Sequence, residues 1–203
     1  MKKTIAALAA TFAVLLGAGC ATDAPSSTSS ESAADNSAAQ HNDADIEFAQ
    51  SMIPHHMQAV HMSQMAATRA GSDEVKALAK QIEAAQLPEI SDLKSLLAEW
   101  GADVPADMSG GGHGGHMDHG SMHGDMEGML TTEELDSLDN AQGTEFDKLY
   151  LEYMIKHHEG AVTMTEKVIA DGRNDELVAM AEKMQEDQTA EIEQMQKMLD
   201  ALG

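Results

Sequence analysis

The sequence predicts an all-α protein, a four-helix bundle of two repeated helical hairpins. Three observations support this fold class. Apolar residues recur at spacings of three and four, which is the period of one helix face. Two adjacent histidines occur at His55-His56 and again at His157-His158, with an offset of 102 residues. No segment shows the alternation of apolar and polar residues that is typical of a strand.

The first hairpin is predicted to begin with a helix from about Asp45 to Arg69, followed by a break at Gly71. Ser72 has the side chain of a helix N-cap, and the helix after it is expected to end near Gly101. Pro54 lacks a backbone donor and is expected to kink the first helix. The core stripe of the second helix comprises Val75, Leu78, Ala79, Ile82, Gln86, Ile90, Leu93 and Leu97.

The second hairpin is predicted to contain one helix from Asp147 to Ala170, a break at Gly172 and a helix capped by Asn174. Before it, Thr131 and Glu134 form a capping box that opens a short extra helix ending near Ala141. The core stripe of the last helix comprises Leu177, Met180, Ala181, Met184, Gln188, Ile192, Met195 and Leu199.

The match between the hairpins extends well beyond the histidines. Equivalent positions include Phe48 with Tyr150, Asp73 with Asp175, Gln86 with Gln188, Glu89 with Glu191 and Leu97 with Leu199. A register shared over this length indicates a duplication. Two hairpins that each have one apolar face are expected to bury those faces against each other.

The N-terminus has the layout of a secretory signal followed by a tether. Lys2 and Lys3 precede an apolar run, and small residues then lead to Cys20, the single cysteine. This ending resembles a bacterial lipobox, although Gly17 stands where a leucine is usual. We therefore predict a signal peptide over residues 1–19, and a lipidated Cys20 with a flexible, disordered stalk over 20–43. The alternative is an ordinary secreted protein; either location is extracytoplasmic, in a bacterial cell envelope.

The bundle is predicted to occupy residues 44–203, with repeat one at 44–101, a Gly/His/Met-rich loop at 102–130 and repeat two at 131–203.

The composition of the whole chain excludes several functions. With 12 basic and 35 acidic residues and a net charge of -23, the chain would repel nucleic acid. One cysteine excludes an internal disulfide framework and cysteine-based zinc or iron–sulfur sites. By contrast, 16 Met and 10 His indicate metal binding.

The histidine pairs border the apolar face of each first helix, together with methionines at helical spacing. Across the pseudo-twofold axis, their imidazoles and thioethers could converge on copper, which soft thioethers favour as Cu(I). Ag(I) should behave like Cu(I), and imidazole also suits zinc and nickel. The candidate ligands in the bundle are Met52, His55, His56, His61, Met62, Met154, His157, His158 and Met164.

Two alternatives remain open for these residues. The histidines could be core residues bonded to backbone or Gln, with the methionines filling gaps in the packing. Gln86 and Gln188 lie on the core stripes, where they could orient the imidazoles from behind or only fix the helix register. His61 is flanked by Met57 and Met65, which could form a separate surface site.

The connector between the hairpins is a second candidate metal-binding region. It is rich in glycine, which lets the backbone wrap an ion, and has no apolar run that would fold it. Short His- and Met-rich tracts of this kind are typical of metal binding. Its candidate ligands are His113, His116, Met117, His119, Met122, His123 and Met126.

The doubled Met-Ile-x-His-His-x-x-Ala-Val pattern, with the Gln and Glu-Ile positions that follow it, resembles domain-of-unknown-function family 305. The resemblance covers about Asp45 to Gly203. It implies a ferritin-like bundle and an extracytoplasmic role, and some family members bind copper or silver. The symmetry of the pattern fails at two places, where Gln58 corresponds to Gly160 and His61 to Thr163.

The leading hypothesis is a non-enzymatic envelope protein that sequesters, stores or transfers copper, most of all Cu(I), with metal ions and a lipid membrane as its partners. The second hypothesis is a ferritin-like di-metal oxidase or peroxidase. That chemistry uses Glu and Glu-x-x-His ligands, and only Glu89 and Glu191 support it here. The third is a structural envelope module that binds metal incidentally.

Overall fold

The computed structural model describes residues 40–106 and 126–203, and these form five helices. The helices are α1 (Asp43–Arg69), α2 (Asp73–Glu99), α3 (Thr132–Asn140), α4 (Thr144–Asp171) and α5 (Asp175–Leu202). Within these residues there is no strand, only one isolated bridge between Ala70 and Gly143. The predicted helical bundle of two hairpins, with one short extra helix, is confirmed.

Three helices begin directly after the capping residues that the sequence predicts. Ser72 and Asn174 accept the backbone N–H of Val75 and Leu177, and Thr131 forms a capping box with Glu134. Helix α1 begins two residues before the predicted start, because Asn42 caps it and the Asp45 side chain completes the box. Helix α1 passes through Pro54 as one continuous helix.

Helices α1 and α4 form the centre of the bundle, each packed against its own hairpin partner and against the other. The core has two clusters. In α4 the change from one to the other occurs at the histidine pair, and in α1 it does so too except that Met57 and Val60 belong to the cluster of Met52. One cluster contains Met62 and Met154, and the other contains Met52 and Met164. The four histidines therefore form a polar layer between two apolar clusters, and each cluster contains one predicted methionine ligand from each repeat.

Two buried carboxylates fasten the hairpins to each other. Asp45 in α1 accepts the backbone N–H groups of Arg173 and Asn174, in the α4–α5 turn, at 3.0 to 3.3 Å. Its equivalent in α4, Asp147, accepts those of Gly71 and Ser72, in the α1–α2 turn, at 2.9 Å. Each repeat thus supplies a carboxylate that accepts hydrogen bonds from the turn of the other repeat.

In the parts of the chain that the structure describes, no helix is long and apolar enough to span a membrane.

Candidate metal centre

Four imidazoles meet at the crossing of α1 and α4. His55, His56, His157 and His158 all have 0 % exposure. The rings of His55 and His157 are in contact, with centroids 3.7 Å apart and planes tilted by 35°. The sequence predicted that the two pairs would converge across the pseudo-twofold axis, and the structure places them together.

Two of the imidazoles are held by carboxylates of the neighbouring helix. His56 Nε2 lies 2.7 Å from Glu89 Oε2, and His158 Nε2 lies 2.8 Å from Glu191 Oε2. In a neutral ring, the Nε2–H donates to the carboxylate and leaves Nδ1 as an unprotonated lone pair. Carboxylates that orient imidazoles in this way are common behind metal ligands.

His55 is held in the same tautomer by the backbone. Its Nε2 lies 3.1 Å from the carbonyl oxygen of Glu127. A carbonyl only accepts hydrogen bonds, so Nε2 carries the proton and Nδ1 is again bare. The Nδ1 atoms of His55, His56 and His158 are buried without a partner, as are both ring nitrogens of His157. In their neutral forms, these rings present buried lone pairs that no hydrogen bond uses.

Burial keeps the central pair of imidazoles neutral. The pKa of His55 is lowered from 6.5 to about 3, first by burial and then by the neighbouring His56. The pKa of His157 is also well below its usual value, because of burial and then the proximity of His55 and His158. Neutral imidazole is the form that binds metal, and these two rings keep it into the acidic range.

The methionines predicted as ligands flank this layer. Met52, Met62 and Met154 are fully buried, and Met164 is 9 % exposed. His61 lies on the exposed side of α1, away from the buried layer. The structure thus separates His61 from the other bundle candidates, and its sequence-based role as a ligand stays a prediction.

Gln86 and Gln188 are buried, but their side-chain amides have no hydrogen-bond partner among the described residues. Neither predicted role, orienting an imidazole or fixing helix register, is therefore visible as a contact. Glu89 and Glu191 contact the imidazoles instead, each 33 residues after its histidine. The signal for them was present in the sequence, because an acidic residue occupies the same position beside both core stripes.

The end of the connector, which we call the strap (Met126–Leu130), lies against the histidine layer. Gln58 holds it by accepting the N–H of Leu130 at 2.8 Å and donating to the Leu130 carbonyl at 3.1 Å. At Gly160 a Cβ atom would lie only 2.1 Å from the Glu127 carbonyl oxygen. The difference between Gln58 and Gly160 at equivalent positions therefore has a physical reason. Gln58 forms hydrogen bonds with the strap, and Gly160 has no side chain that would clash with it.

The other predicted ligands of the connector, and Cys20, lie outside the described residues. These connector ligands are His113, His116, Met117, His119, Met122 and His123. Met126 is described, and it lines a surface pocket together with Met164. Over residues 40–106 and 126–203, no three His, Cys, Asp or Glu side chains form a ready-made metal site.

The comparisons with known proteins agree with this architecture. The family model described as a domain of unknown function, DUF305, matches residues 45–199. The chain belongs to the DUF305 family. The sequence-based assignment is thereby confirmed. No curated protein matches the chain.

Solved structures of DUF305 proteins share the fold. A presumed secreted DUF305 protein from Streptomyces coelicolor is 30% identical with a TM-score of 0.66, and the match covers 79% of this chain and 92% of that one. CopM in its Cu(II)-bound form is 32% identical with a TM-score of 0.63, over 78% and 97% of the two chains. CopM in its Cu(I)-bound form is 30% identical with a TM-score of 0.60, over 77% and 96%.

Proposed function

We propose that this chain is an extracytoplasmic copper-binding protein that sequesters, stores or transfers Cu(I), and that also accepts Ag(I). The observation that carries the proposal is the buried histidine layer, whose bare Nδ1 atoms lie between two pairs of buried methionines. The similarity to CopM, which has been solved with Cu(I) and with Ag, supports it.

The choice of metal follows from the ligand set. Thioethers select soft ions, and imidazole accepts borderline and soft ions alike. A structural zinc site needs a closed tetrahedral set of His, Cys or carboxylate ligands, and the described residues contain no group of three such side chains arranged for it. Cu(I) and Ag(I) accept low coordination numbers, so one or two imidazoles with a thioether suffice for them.

We propose binding without catalysis. A di-iron oxidase needs carboxylates that are free to bridge its metals, whereas Glu89 and Glu191 each contact an imidazole. Their position at the layer is nevertheless the one observation that favours the di-metal enzyme as the second candidate. Iron loading of the purified chain, followed by assays of ferrous iron oxidation and peroxide consumption, distinguishes the two functions.

The proposal includes the regions that the structure does not describe. Residues 1–19 would export the chain and Cys20 would carry a lipid that anchors it to the membrane. The His- and Met-rich connector would capture ions at low affinity, while the buried layer would retain them. Detection of a lipid-modified Cys20 by mass spectrometry of the membrane fraction tests the anchor separately.

An anaerobic titration with Cu(I) against a chromophoric competitor tests the copper proposal. We expect the unaltered chain to take Cu(I) from the competitor, and H55N/H157N to lose the tightest-bound equivalent. H61N is the matched control and should keep the tightest-bound equivalent, because His61 lies on the exposed side of α1, outside the buried layer. Circular dichroism verifies that each variant is helical. Failure of the unaltered chain to compete for Cu(I) would overturn the proposal.

A further inference from the structure

A pocket of about 330 Å³ opens at the surface where the strap meets α1 and α4. Met126 of the strap and Met164 of α4 line it, so two methionines from different segments border one cavity. Three acidic residues also line it, Glu47, Glu127 and Asp171, against the one basic residue Lys167. A cavity with soft ligands and a negative rim attracts a cation and favours a soft one.

The duplication supplies an internal comparison for this pocket. At the equivalent face around Met62, the positions of Glu47, Ser51 and Asp171 are occupied by Leu149, Tyr153 and Arg69. Helix α3 contacts both central helices, and its Leu138 packs in the same cluster as Met62. That face carries Leu149, Tyr153 and an Arg69 that pairs with Asp139, in place of two carboxylates and a serine. Met62 has 0 % exposure there, whereas Met164 has 9 %. Of these two equivalent methionines, Met62 is thus fully buried, whereas Met164 lines a pocket that has acidic residues around it.

The pocket is also directly connected to the histidine layer. The residue after Met126 is Glu127, whose carbonyl accepts the hydrogen bond from His55. Met164 lies seven residues after His157 in α4, and therefore on the same face of that helix. The Glu127 side chain accepts a hydrogen bond at 2.8 Å from Lys167, which also lines the pocket. A small movement of the strap would thus act on the pocket and on His55 together.

We propose that this pocket is a loading site for a soft monovalent cation, with the thioethers of Met126 and Met164 as its ligands. The inference rests on the proposed copper-binding function and adds a route to it. The ion first exchanges water for the two thioethers. It then passes inward by ligand exchange to the bare imidazole nitrogens, of which Nδ1 of His55 is one.

Titration with Ag(I) of the chain carrying 13C-methyl methionine tests this site by NMR, with M126L and M164L to assign the signals. We expect the methyl signals of Met126 and Met164 to shift along one common binding curve. M126L should weaken the response of Met164 by about tenfold or more, and M164L should do the same to Met126. Leucine nearly preserves the volume of methionine, so the fold is expected to persist.

M65L is the matched control, because Met65 stands at the equivalent of Lys167 on the face around Met62 and should not affect the curve. If Met164 responds equally in the presence and absence of the Met126 thioether, or does not respond at all, the loading site is wrong while the copper proposal can stand. If neither the methionine methyls nor the imidazole signals respond to Ag(I), the proposed function fails as well.

Discussion

Buried imidazoles without hydrogen-bond partners are costly for a protein that folds without metal. A buried polar group left unpaired costs about 1–3 kcal/mol, and both ring nitrogens of His157 are in this state. Under the proposed function, metal binding offsets this cost. Stability and metal affinity should therefore change in opposite directions when one of these imidazoles is replaced.

We predict that H157L stabilises the metal-free protein and weakens metal binding. Leucine removes the unpaired nitrogens and has a similar volume, so the free energy of unfolding should rise by about 1–3 kcal/mol. Urea denaturation in the presence of a chelator measures this change. The increase in Tm caused by Ag(I) should be smaller than in the unaltered chain. H61L, on the exposed face, should leave the free energy of unfolding unchanged. A less stable H157L would contradict the prediction.

The central imidazoles also make the metal-free fold sensitive to acid. The pKa of His55 is about 3 in the folded protein and 6.5 is its ordinary value, so between these values the unfolded chain binds a proton and the folded chain does not. Stability should therefore fall as the pH drops below 6.5, by up to about 1.4 kcal/mol per pH unit for each such histidine. His157, whose pKa is also lowered, acts in the same direction.

Urea denaturation of the metal-free protein at a series of pH values measures this dependence. H157L should show a shallower decline than the unaltered chain, since one titrating group is gone. An unchanged slope in H157L would show that other groups dominate the acid sensitivity.

At the residue scale, the sequence was informative wherever a periodic pattern decided the outcome. The inward position of both histidine pairs followed from helical spacing and from the duplication. The partners of those histidines did not, because a hydrogen bond from His56 to Glu89 depends on how α1 and α2 are rotated against each other. His55 contacts the backbone carbonyl of Glu127, and a backbone contact does not depend on the identity of the side chain. No sequence pattern could therefore predict it.

At the scale of the elements, the hairpins depend on each other through Asp45 and Asp147. Each carboxylate satisfies two backbone N–H groups in the turn of the other hairpin. Close approaches explain why Gly71 and Gly172 stand in the turns. A Cβ at Gly172 would lie 2.5 Å from the Val168 carbonyl oxygen and 2.7 Å from Asp45 Oδ1, and a Cβ at Gly71 would lie 2.8 Å from the carbonyl carbon of Gly143. The turns are thus held mainly by contacts between the two hairpins.

We predict that D147A lowers the free energy of unfolding by about 3 kcal/mol, because hydrogen bonds to a charged acceptor are lost and the N–H groups of Gly71 and Ser72 are left unpaired. Equilibrium urea denaturation measures the loss. E145A, which removes an exposed acid from the same helix turn, should stay within about 0.5 kcal/mol of the unaltered chain. Equal effects of the two variants would show that the turn is held by other contacts.

Helix boundaries were predictable where a local signal fixes them, and less so where a tertiary contact does. Ser72, Asn174 and Thr131 cap their helices as their sequence contexts indicate. Helix α4 starts three residues before the predicted Asp147, after Gly143 with its φ of 62°. Gly143 donates its N–H to Arg69 of α1, and this contact between distant parts of the chain has no local signature.

At the scale of the whole molecule, the charge of -23 opposes compaction. Salt screens repulsion among exposed charges, so the Tm of the metal-free protein should rise from low to moderate ionic strength. Differential scanning calorimetry measures the change. NaCl and KCl should act alike, because screening does not depend on the identity of the monovalent cation. A Tm that falls with salt would mean that attractive ion pairs outweigh the net repulsion.

The crossed contacts of Asp45 and Asp147 have the form of an isologous interface, in which each half offers the other the same surface. Two separate copies of one hairpin could make both contacts with no covalent link between them. Joining the copies in one chain removes the need for them to be identical. The segment that joins them can serve one side only, and here it does so through Gln58 and Gly160. Fusion thus makes two sides that would be equivalent in a symmetric pair structurally different.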